Sequence, residues 1–298
     1  MNKESNKYIF LYSIILVVTV AAVLAAAATL LKPFQQKNVE VEKKQNILFS
    51  VQKAAQVKEA KDKTEYIERE YKKYITSSYV VNSFGMQVEG DAFTLNFADE
   101  MKKPSSERLL PVFVCKDDDG SLLYVLPVRG VGLWGPLWGY VALNQDVNII
   151  RGVVFDHKGE TPGLGAEIAT PQFQAQFAGK QIFDGETFTS IKVVKGGNTK
   201  NNPHEVDAVS GGTITSNGLQ DMVYDVLESY MSFLKAKRQE YAARVCSKNS
   251  AMENAKTASA APSAKVEVRP VVKPKPAQVQ EVNLTPTPAP ADTTDSIQ

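Results

Sequence analysis

The chain has 298 residues and a formal net charge of +1, from 34 lysine and arginine residues against 33 aspartate and glutamate residues. This balance, without a dense basic block, argues against nucleic-acid binding, and the length allows roughly one to two domains. The two cysteines, Cys115 and Cys246, are far apart and form no C-x-x-C pair. With only two histidines in the chain, the sequence predicts no metal site, which excludes an iron–sulfur cluster, a structural zinc or a c-type haem held by this chain alone.

Residues 8–31, YIFLYSIILVVTVAAVLAAAATLL, form an uncharged and overwhelmingly apolar stretch. Because about 20 such residues cross the hydrocarbon core of a bilayer, they predict a transmembrane anchor over residues 1–33. A cleaved signal peptide is the alternative, since the alanine run offers a cleavage site, although such peptides usually have only about 7–15 apolar residues. Lysines flank the stretch on both sides, so the charge pattern does not fix its orientation.

Residues 34–77 predict a helical stalk. They are rich in lysine, glutamate, glutamine and alanine, and Ile47, Leu48, Val51 and Ala54 recur at helical spacing within residues 39–74. The charged residues are typical of a solvated helix face.

Residues 78–245 predict one α+β domain with a largely antiparallel sheet. Short runs of β-forming residues, separated by turn signals and not by regular helices, support this class. The runs are residues 109–115, 121–128, 139–143, 149–155 and 191–194. A short helix is expected over residues 170–178, with Thr170 as its N-cap and Pro171 at its first position. Apolar residues at i, i+3, i+4 and i+7 over residues 219–234 predict a longer helix, starting near Ser216, with one face on the sheet.

The last segment, residues 246–298, is dominated by proline, alanine, lysine and threonine. Such a composition buries too little apolar surface to fold, so the segment predicts a disordered tail. A proline-rich partner motif and a cell-wall tether are the alternatives.

The stretch DAVSGGTITSNG, residues 207–218, places two glycines and several hydroxyl side chains directly before this longer helix. Unpaired N–H groups and the positive end of the helix dipole predict an anion site around Thr213, whose hydroxyl could bind a phosphate or be esterified by one. The stretch matches neither the P-loop nor the dinucleotide fingerprint. In the alternative, Thr215 or Ser216 merely caps the helix and the glycines form a tight turn.

Three further segments contain candidate binding residues. In HKGETPGLG, residues 157–165, Glu160 and Thr161 offer polar groups and Leu164 a surface for a flat ring. In VVKGG, residues 193–197, Lys195 could reach a phosphate or a reduced isoalloxazine, unless it is simply a solvated lysine. In GLWGPLWGY, residues 132–140, the tryptophans either pack in the core or offer stacking surfaces.

The order GLWG, H-x-x-ETPGLG, VVKGG and D-x-x-SG-x-T-x-TS resembles the FMN-binding domain family. With the apolar anchor and the KKQNIL segment, the chain resembles the C subunits of Na+-translocating NADH:quinone reductases. This resemblance implies that Thr213 holds FMN through a phosphoester bond. It also implies that a flavin transferase reads a motif containing Asp207, Ser210 and Thr213, with Gly211 and Gly212 in the flavin-binding turn. Gly212 stands where the family usually has alanine.

The resemblance further implies that Thr161 and Leu164 line the flavin and that Lys195 lies near it. The expected function is electron relay, with one covalent FMN, in an enzyme complex of the bacterial inner membrane, and with the flavin domain on the periplasmic side. The partners are then the other membrane subunits, while NADH and quinone are reached only through the complex. Two alternatives stay open: the G subunit of the related ferredoxin:NAD+ oxidoreductase complex, and a non-redox envelope scaffold with a degenerate flavin motif.

Overall fold

The computed structural model describes residues 6–196 and 199–259. The predicted disordered tail lies outside the described residues from residue 260 onward. The helices are α1 (Asn6–Ser50), α2 (Lys63–Tyr74), α3 (Phe97–Glu100), α4 (Pro171–Gln174), α5 (Thr213–Ser229) and α6 (Met231–Ser259). The strands are β1 (Ile75–Val81), β2 (Gln87–Val88), β3 (Leu110–Lys116), β4 (Leu122–Val131), β5 (Pro136–Leu143), β6 (Ile150–His157), β7 (Phe183–Asp184), β8 (Thr187–Phe188), β9 (Lys192–Val194) and β10 (Glu205–Asp207).

A six-stranded sheet with the order β2-β1-β3-β4-β5-β6 forms the centre of the domain, and every neighbouring pair in it is antiparallel. β7 and β8 form a small antiparallel pair, whereas β9 and β10 run parallel. The predicted α+β class, with a largely antiparallel sheet behind an N-terminal apolar helix, is confirmed.

The sheet is buried on both faces over its strands β3 to β6. In β5, Leu137 and Val141 join a core cluster with the buried side of α5, whereas Tyr140 and Ala142 join a second cluster with the end of α1. We call these the α5 face and the α1 face. Because side chains alternate between two buried faces, β3 is buried over all its residues except the last, which explains its unbroken apolar run.

α1 continues without interruption from the apolar stretch to the domain. It has 45 residues and includes Pro33, so that it is about 67 Å long at about 1.5 Å per residue. It is long and apolar enough to cross a membrane, and its apolar part is exposed. Only its last turns are buried, at Ile47, Leu48 and Ser50.

The predicted stalk over residues 34–77 differs from the structure. α1 ends at Ser50, and α2 begins only after Asp62, whose side chain caps it by accepting from the N–H groups of Thr64 and Glu65. The apolar residues at helical spacing are fully buried on the α1 face; they are Ile47, Leu48, Val51 and Ala54. This part of the segment therefore belongs to the folded domain, because its apolar residues complete the second side of the sheet.

An ion-pair cluster fixes the chain that follows α1 to the sheet. Lys53 Nζ lies 2.5 Å from Asp117 Oδ1 and 2.6 Å from Asp118 Oδ2, and Arg151 approaches Asp117 to 3.3 Å. Burial alone would raise the pKa of Asp117, but the hydrogen bonds from Lys53 and from the backbone of Asp118, together with the charges of Lys53 and Arg151, outweigh burial and hold that pKa below its usual value. The cluster thus joins the turn before β4 to the end of the long helix.

The two predicted helices of the domain are present with modified ends. Thr170 caps α4 through a hydrogen bond from Phe173 N, and Pro171 is its first residue. The longer helix is divided at Tyr230, which lies between α5 and α6 and donates its hydroxyl to Pro111 O at 2.7 Å. α6 reaches Ser259, so residues 246–259 of the predicted disordered tail are helical.

Candidate functional site

Thr213 is the first residue of α5, with Gly212 as N-cap at φ −103° and ψ 39°. The helix therefore begins before the predicted start at Ser216. Neither Thr215 nor Ser216 caps it, because Thr215 Oγ1 donates to Glu160 Oε2 and Ser216 Oγ accepts from Val209 N. The capping alternative is wrong for both residues.

The first turn of α5 leaves hydrogen-bond donors available. The N–H groups of Thr213, Ile214 and Thr215 donate to no acceptor in the described part of the chain. The Thr213 side chain is exposed beside them. Since the helix has 17 residues and a positive dipole end, this turn can receive an anion bound to Thr213 Oγ1.

The turn before Thr213 contacts the ETPGLG loop. Gly211 has φ +76°, a conformation that favours glycine, and a Cβ there would lie 2.6 Å from Leu164 Cδ2. Leu164 remains 43% exposed, and Thr161 in the same loop is exposed. Leu164 therefore presents an apolar surface next to the glycine turn.

The ETPGLG loop has its own internal hydrogen bonds. Thr161 O accepts from Leu164 N at 3.1 Å and from Ala166 N at 3.2 Å. Gly163, at φ +74°, donates its N–H to Glu167 Oε1 at 3.1 Å. These bonds hold the loop closed while the side chains of Thr161 and Leu164 remain exposed to solvent.

Two other predicted residues, Asp207 and Lys195, lie at the adjacent ends of β10 and β9, and Ser210 lies between β10 and α5. Asp207 pairs with Val194 across β10 and β9, which brings Lys195, the residue that follows β9, to the same end of this strand pair. Asp207 Oδ1 accepts from Thr199 Oγ1 at 2.8 Å. Ser210 and Lys195 are exposed, and neither makes a side-chain hydrogen bond within the described residues.

Glu160 has a role in the site that sequence reasoning missed. It is only 4% exposed, and its carboxylate accepts from Trp134 N at 2.8 Å and from Thr215 Oγ1 at 2.6 Å. It thereby joins the β4–β5 hairpin to the first turn of α5. In the sequence, the only residues that could have indicated this role of Glu160 are Gly132 and Gly165. A Cβ at either position would lie within 2.6 Å of the carboxylate.

Exposed apolar side chains occur in the turn that holds Thr213 and in the β4–β5 hairpin that Glu160 joins to it. Trp134 is 67% exposed and Ile214 is 59% exposed, and Leu133 on the hairpin is also exposed. Trp134 therefore does not pack in the core, whereas Trp138 in β5 is half-buried. The surface combines a hydroxyl-bearing helix end with apolar groups, which is the composition that a phosphate-bearing aromatic ligand requires.

Comparisons with known proteins agree with this geometry. Residues 132–228 match the family described as the FMN-binding domain, and they include the turn between β4 and β5, β5 itself, the ETPGLG loop and all but the last residue of α5. The C subunit of the Na(+)-translocating NADH-quinone reductase from Vibrio anguillarum is 32% identical over 235 residues, which cover 74% of this chain and 89% of that protein. The protein of the same name from Neisseria meningitidis serogroup B is 33% identical over 235 residues, covering 74% and 90%.

A solved structure supports the same assignment. The crystal structure of the C subunit of the Na(+)-translocating NADH-quinone reductase from Parabacteroides distasonis is 40% identical, with a TM-score of 0.61, and covers 68% of this chain and 96% of that one. The structure of NqrC from Shewanella oneidensis is 29% identical with a TM-score of 0.57. The chain belongs to the family of C subunits of the Na+-translocating NADH-quinone reductases.

Proposed function

We propose that Thr213 holds FMN through a phosphoester bond and that the chain relays electrons within a Na+-translocating NADH:quinone reductase. One observation carries the proposal: Thr213 is exposed at the first residue of α5, beside N–H groups that have no acceptor in the described part of the chain. A phosphodiester formed on Thr213 Oγ1 keeps one negative charge, which these donors and the helix dipole stabilise.

The residues around Thr213 fit the remainder of FMN. Leu164, which contacts the glycine turn, and Ile214, on the first turn of α5, offer apolar surface to a flat ring. Thr161 offers a hydroxyl at the loop, and Lys195 is a cation at the nearby edge of β9 that can approach the phosphate or the ring. When bound, FMN supplies reversible electron transfer, which no side chain here provides.

The chain's own residues hold and orient the cofactor. The glycine turn brings the backbone close to Leu164, and the first turn of α5 fixes the phosphate end. Because Thr213, Thr161 and Leu164 lie on the surface of this chain, a flavin held by them would be accessible to other subunits of the complex. Asp207 and Ser210, which precede Thr213 in the same motif, are proposed as the residues that a flavin transferase recognises.

The anchor indicates how the domain is placed. α1 passes from the apolar stretch into the α1 face, so a single span holds the domain near the membrane. We place the domain on the periplasmic side of the bacterial inner membrane, with NADH and quinone handled by other subunits. There, covalent attachment prevents loss of a cofactor that the surrounding medium would dilute.

The test is the mass of the peptide that contains Thr213, from protein isolated from its native membrane. Trypsin is expected to release residues 201–235 between Lys200 and Lys235. Wild type should have a mass increase equal to FMN less one water, located on Thr213 by fragmentation, and Thr213→Val should lose it.

The matched control is Thr187→Val, which changes an exposed threonine in β8 and should keep the modification. An unmodified Thr213 in a host whose other covalent flavoproteins are modified would refute the attachment and favour the scaffold alternative.

A further inference from the structure

We propose that Glu160 is the positioning residue for flavin attachment: it holds the first turn of α5 in the one orientation that presents Thr213 to solvent. The inference rests on the proposed esterification of Thr213. Glu160 does not itself touch the phosphate site; it acts through Thr215 and through the β4–β5 hairpin.

The carboxylate joins segments that are distant in sequence. Oε1 accepts from Trp134 N, 26 residues earlier, and Oε2 accepts from Thr215 Oγ1, 55 residues later. The backbone of Glu160 is fixed as well, because its N–H donates to His157 Nδ1 at 3.1 Å. A single side chain therefore ties together the hairpin, the ETPGLG loop and α5.

Close packing leaves this carboxylate little freedom. A Cβ at Gly132 would lie 2.6 Å from Glu160 Oε1, and a Cβ at Gly165 would lie 2.5 Å from Glu160 Oε2. Glycine at both positions lets two backbone segments approach the carboxylate, one at each oxygen. A buried carboxylate whose two oxygens both accept hydrogen bonds is held in place more firmly than a solvated one.

Holding Thr215 fixes the position of Thr213. Both residues lie in the first turn of α5, and their side chains have opposite environments, because Thr215 is buried and Thr213 is exposed. Rotation of this turn about the helix axis would move the free N–H groups and Thr213 Oγ1 together. The bond to Glu160 opposes that rotation two residues from the attachment point.

The variant Glu160→Gln tests whether the hydrogen bonds of the side chain or its negative charge hold the first turn of α5. In Glu160→Gln, the amide oxygen can accept from Trp134 N while the amide nitrogen donates to Thr215 Oγ1, since a hydroxyl can also accept. In Glu160→Ala, both bonds are lost. We therefore expect Glu160→Gln to keep the geometry and Glu160→Ala to lose it.

The experiment measures the rate of FMN attachment to the full chain by a competent flavin transferase, per mole of folded protein. We expect Glu160→Ala to lower this rate by about tenfold or more, since displacements of about 1 Å at a reacting group can cost about 100-fold. Glu160→Gln should attach FMN at a rate close to that of wild type.

The matched control is Glu100→Ala. Glu100 is also buried, and it accepts from Leu109 N at 3.0 Å and from Lys103 Nζ at 2.8 Å. Its loss should lower stability and leave the attachment rate unchanged. The proposal would be overturned if Glu160→Ala and Glu100→Ala attached FMN at equal rates. It would also be overturned if Glu160→Gln were as slow as Glu160→Ala.

A second measurement keeps the inference separate from the proposed function. The measurement is amide hydrogen exchange of the flavin-free full chain, expressed without a transferase. Exchange over residues 207–218 should be faster in Glu160→Ala than in Glu160→Gln or wild type, and exchange at the end of α5 should be the same in all three proteins. An unmodified wild-type Thr213 would refute the proposed function while leaving this readout intact. Equal exchange in all three proteins would refute the role of Glu160.

Discussion

Replacement of Gly165 by alanine tests whether the buried contact at the site is as tight in solution as in the structure. A Cβ at this position would collide with Thr215 Oγ1 and lie 2.5 Å from Glu160 Oε2. Neither group can withdraw easily, because each is buried and bonded to the other. The methyl group therefore has to break or displace that hydrogen bond.

The expected cost follows from these contacts. A hydrogen bond to a charged group contributes about 1.5–3 kcal/mol, and one extra methyl in a packed interior costs about 1–3 kcal/mol. Alanine restricts the unfolded chain, which returns about 0.4–1 kcal/mol. Gly165→Ala should therefore lower the free energy of unfolding by about 3 kcal/mol.

Gly159 in the same loop is the matched control. A Cβ there meets nothing within 4 Å, and its φ lies outside the left-handed region. Gly159→Ala should leave the free energy of unfolding unchanged or raise it by up to about 1 kcal/mol.

The assay is denaturant unfolding of the full chain in detergent, followed by tryptophan fluorescence. The two tryptophans of the chain lie in or next to β5, so the signal reports on the domain and not on α1. If the two alanine variants differ by less than about 0.5 kcal/mol, the typical scatter for a neutral surface change, the close packing around Glu160 is refuted.

Two further predictions concern the glycine turn and the other face of the sheet. Gly212→Ala should keep FMN attachment by the same mass measurement, because φ there is −103° and no atom would lie closer than 3.1 Å to the added Cβ. Its near neighbours would be Val209 Cγ1 at 3.1 Å and Gly165 N at 3.3 Å, which have to shift by a few tenths of an ångström. Loss of the modification would mean that this turn requires glycine. Burial raises the pKa of the Cys115 thiol to about 12, whereas Cys246 is exposed. At pH 8, iodoacetamide should therefore alkylate Cys246 and leave Cys115 unmodified until the protein is denatured. Fast alkylation of Cys115 in the native protein would show that the α1 face opens.

Local patterns predicted most of the fold. The apolar runs gave strands β3 to β6 to within a few residues, and the Thr170-Pro171 pair gave the start of α4, because caps and turns depend on adjacent residues. β1 was missed, since only Val80 and Val81 of this strand are buried and its serines give no apolar alternation. The charged segment before it was interpreted as a solvated stalk for a similar reason: its apolar residues are few, and only the assembled sheet provides the surface that buries them.

The site was predicted where its chemistry depends on a local motif. The glycine turn before α5 and the position of Thr213 follow from one short stretch, although the structure starts the helix at Thr213 itself. The role of Glu160 could not be predicted in this way, because a glutamate in a loop is usually solvated and its partners lie 26 and 55 residues away. Trp134 was ambiguous because its exposure depends on the hairpin that presents it.

The small number of polar groups at the first turn of α5 favours the kind of attachment that we propose. The donors that α5 offers to an anion are the three N–H groups of its first turn, and they would hold only the phosphate end of FMN. A phosphoester on Thr213 removes the need for enclosure, because retention no longer depends on the area of contact. On this proposal the protein needs only to orient the phosphate end, a role that we assign to the first turn of α5 and, through Thr215, to Glu160. A flavin retained in this way would not need to be enclosed by this chain, which would leave its ring accessible to the other cofactors of the proposed electron relay.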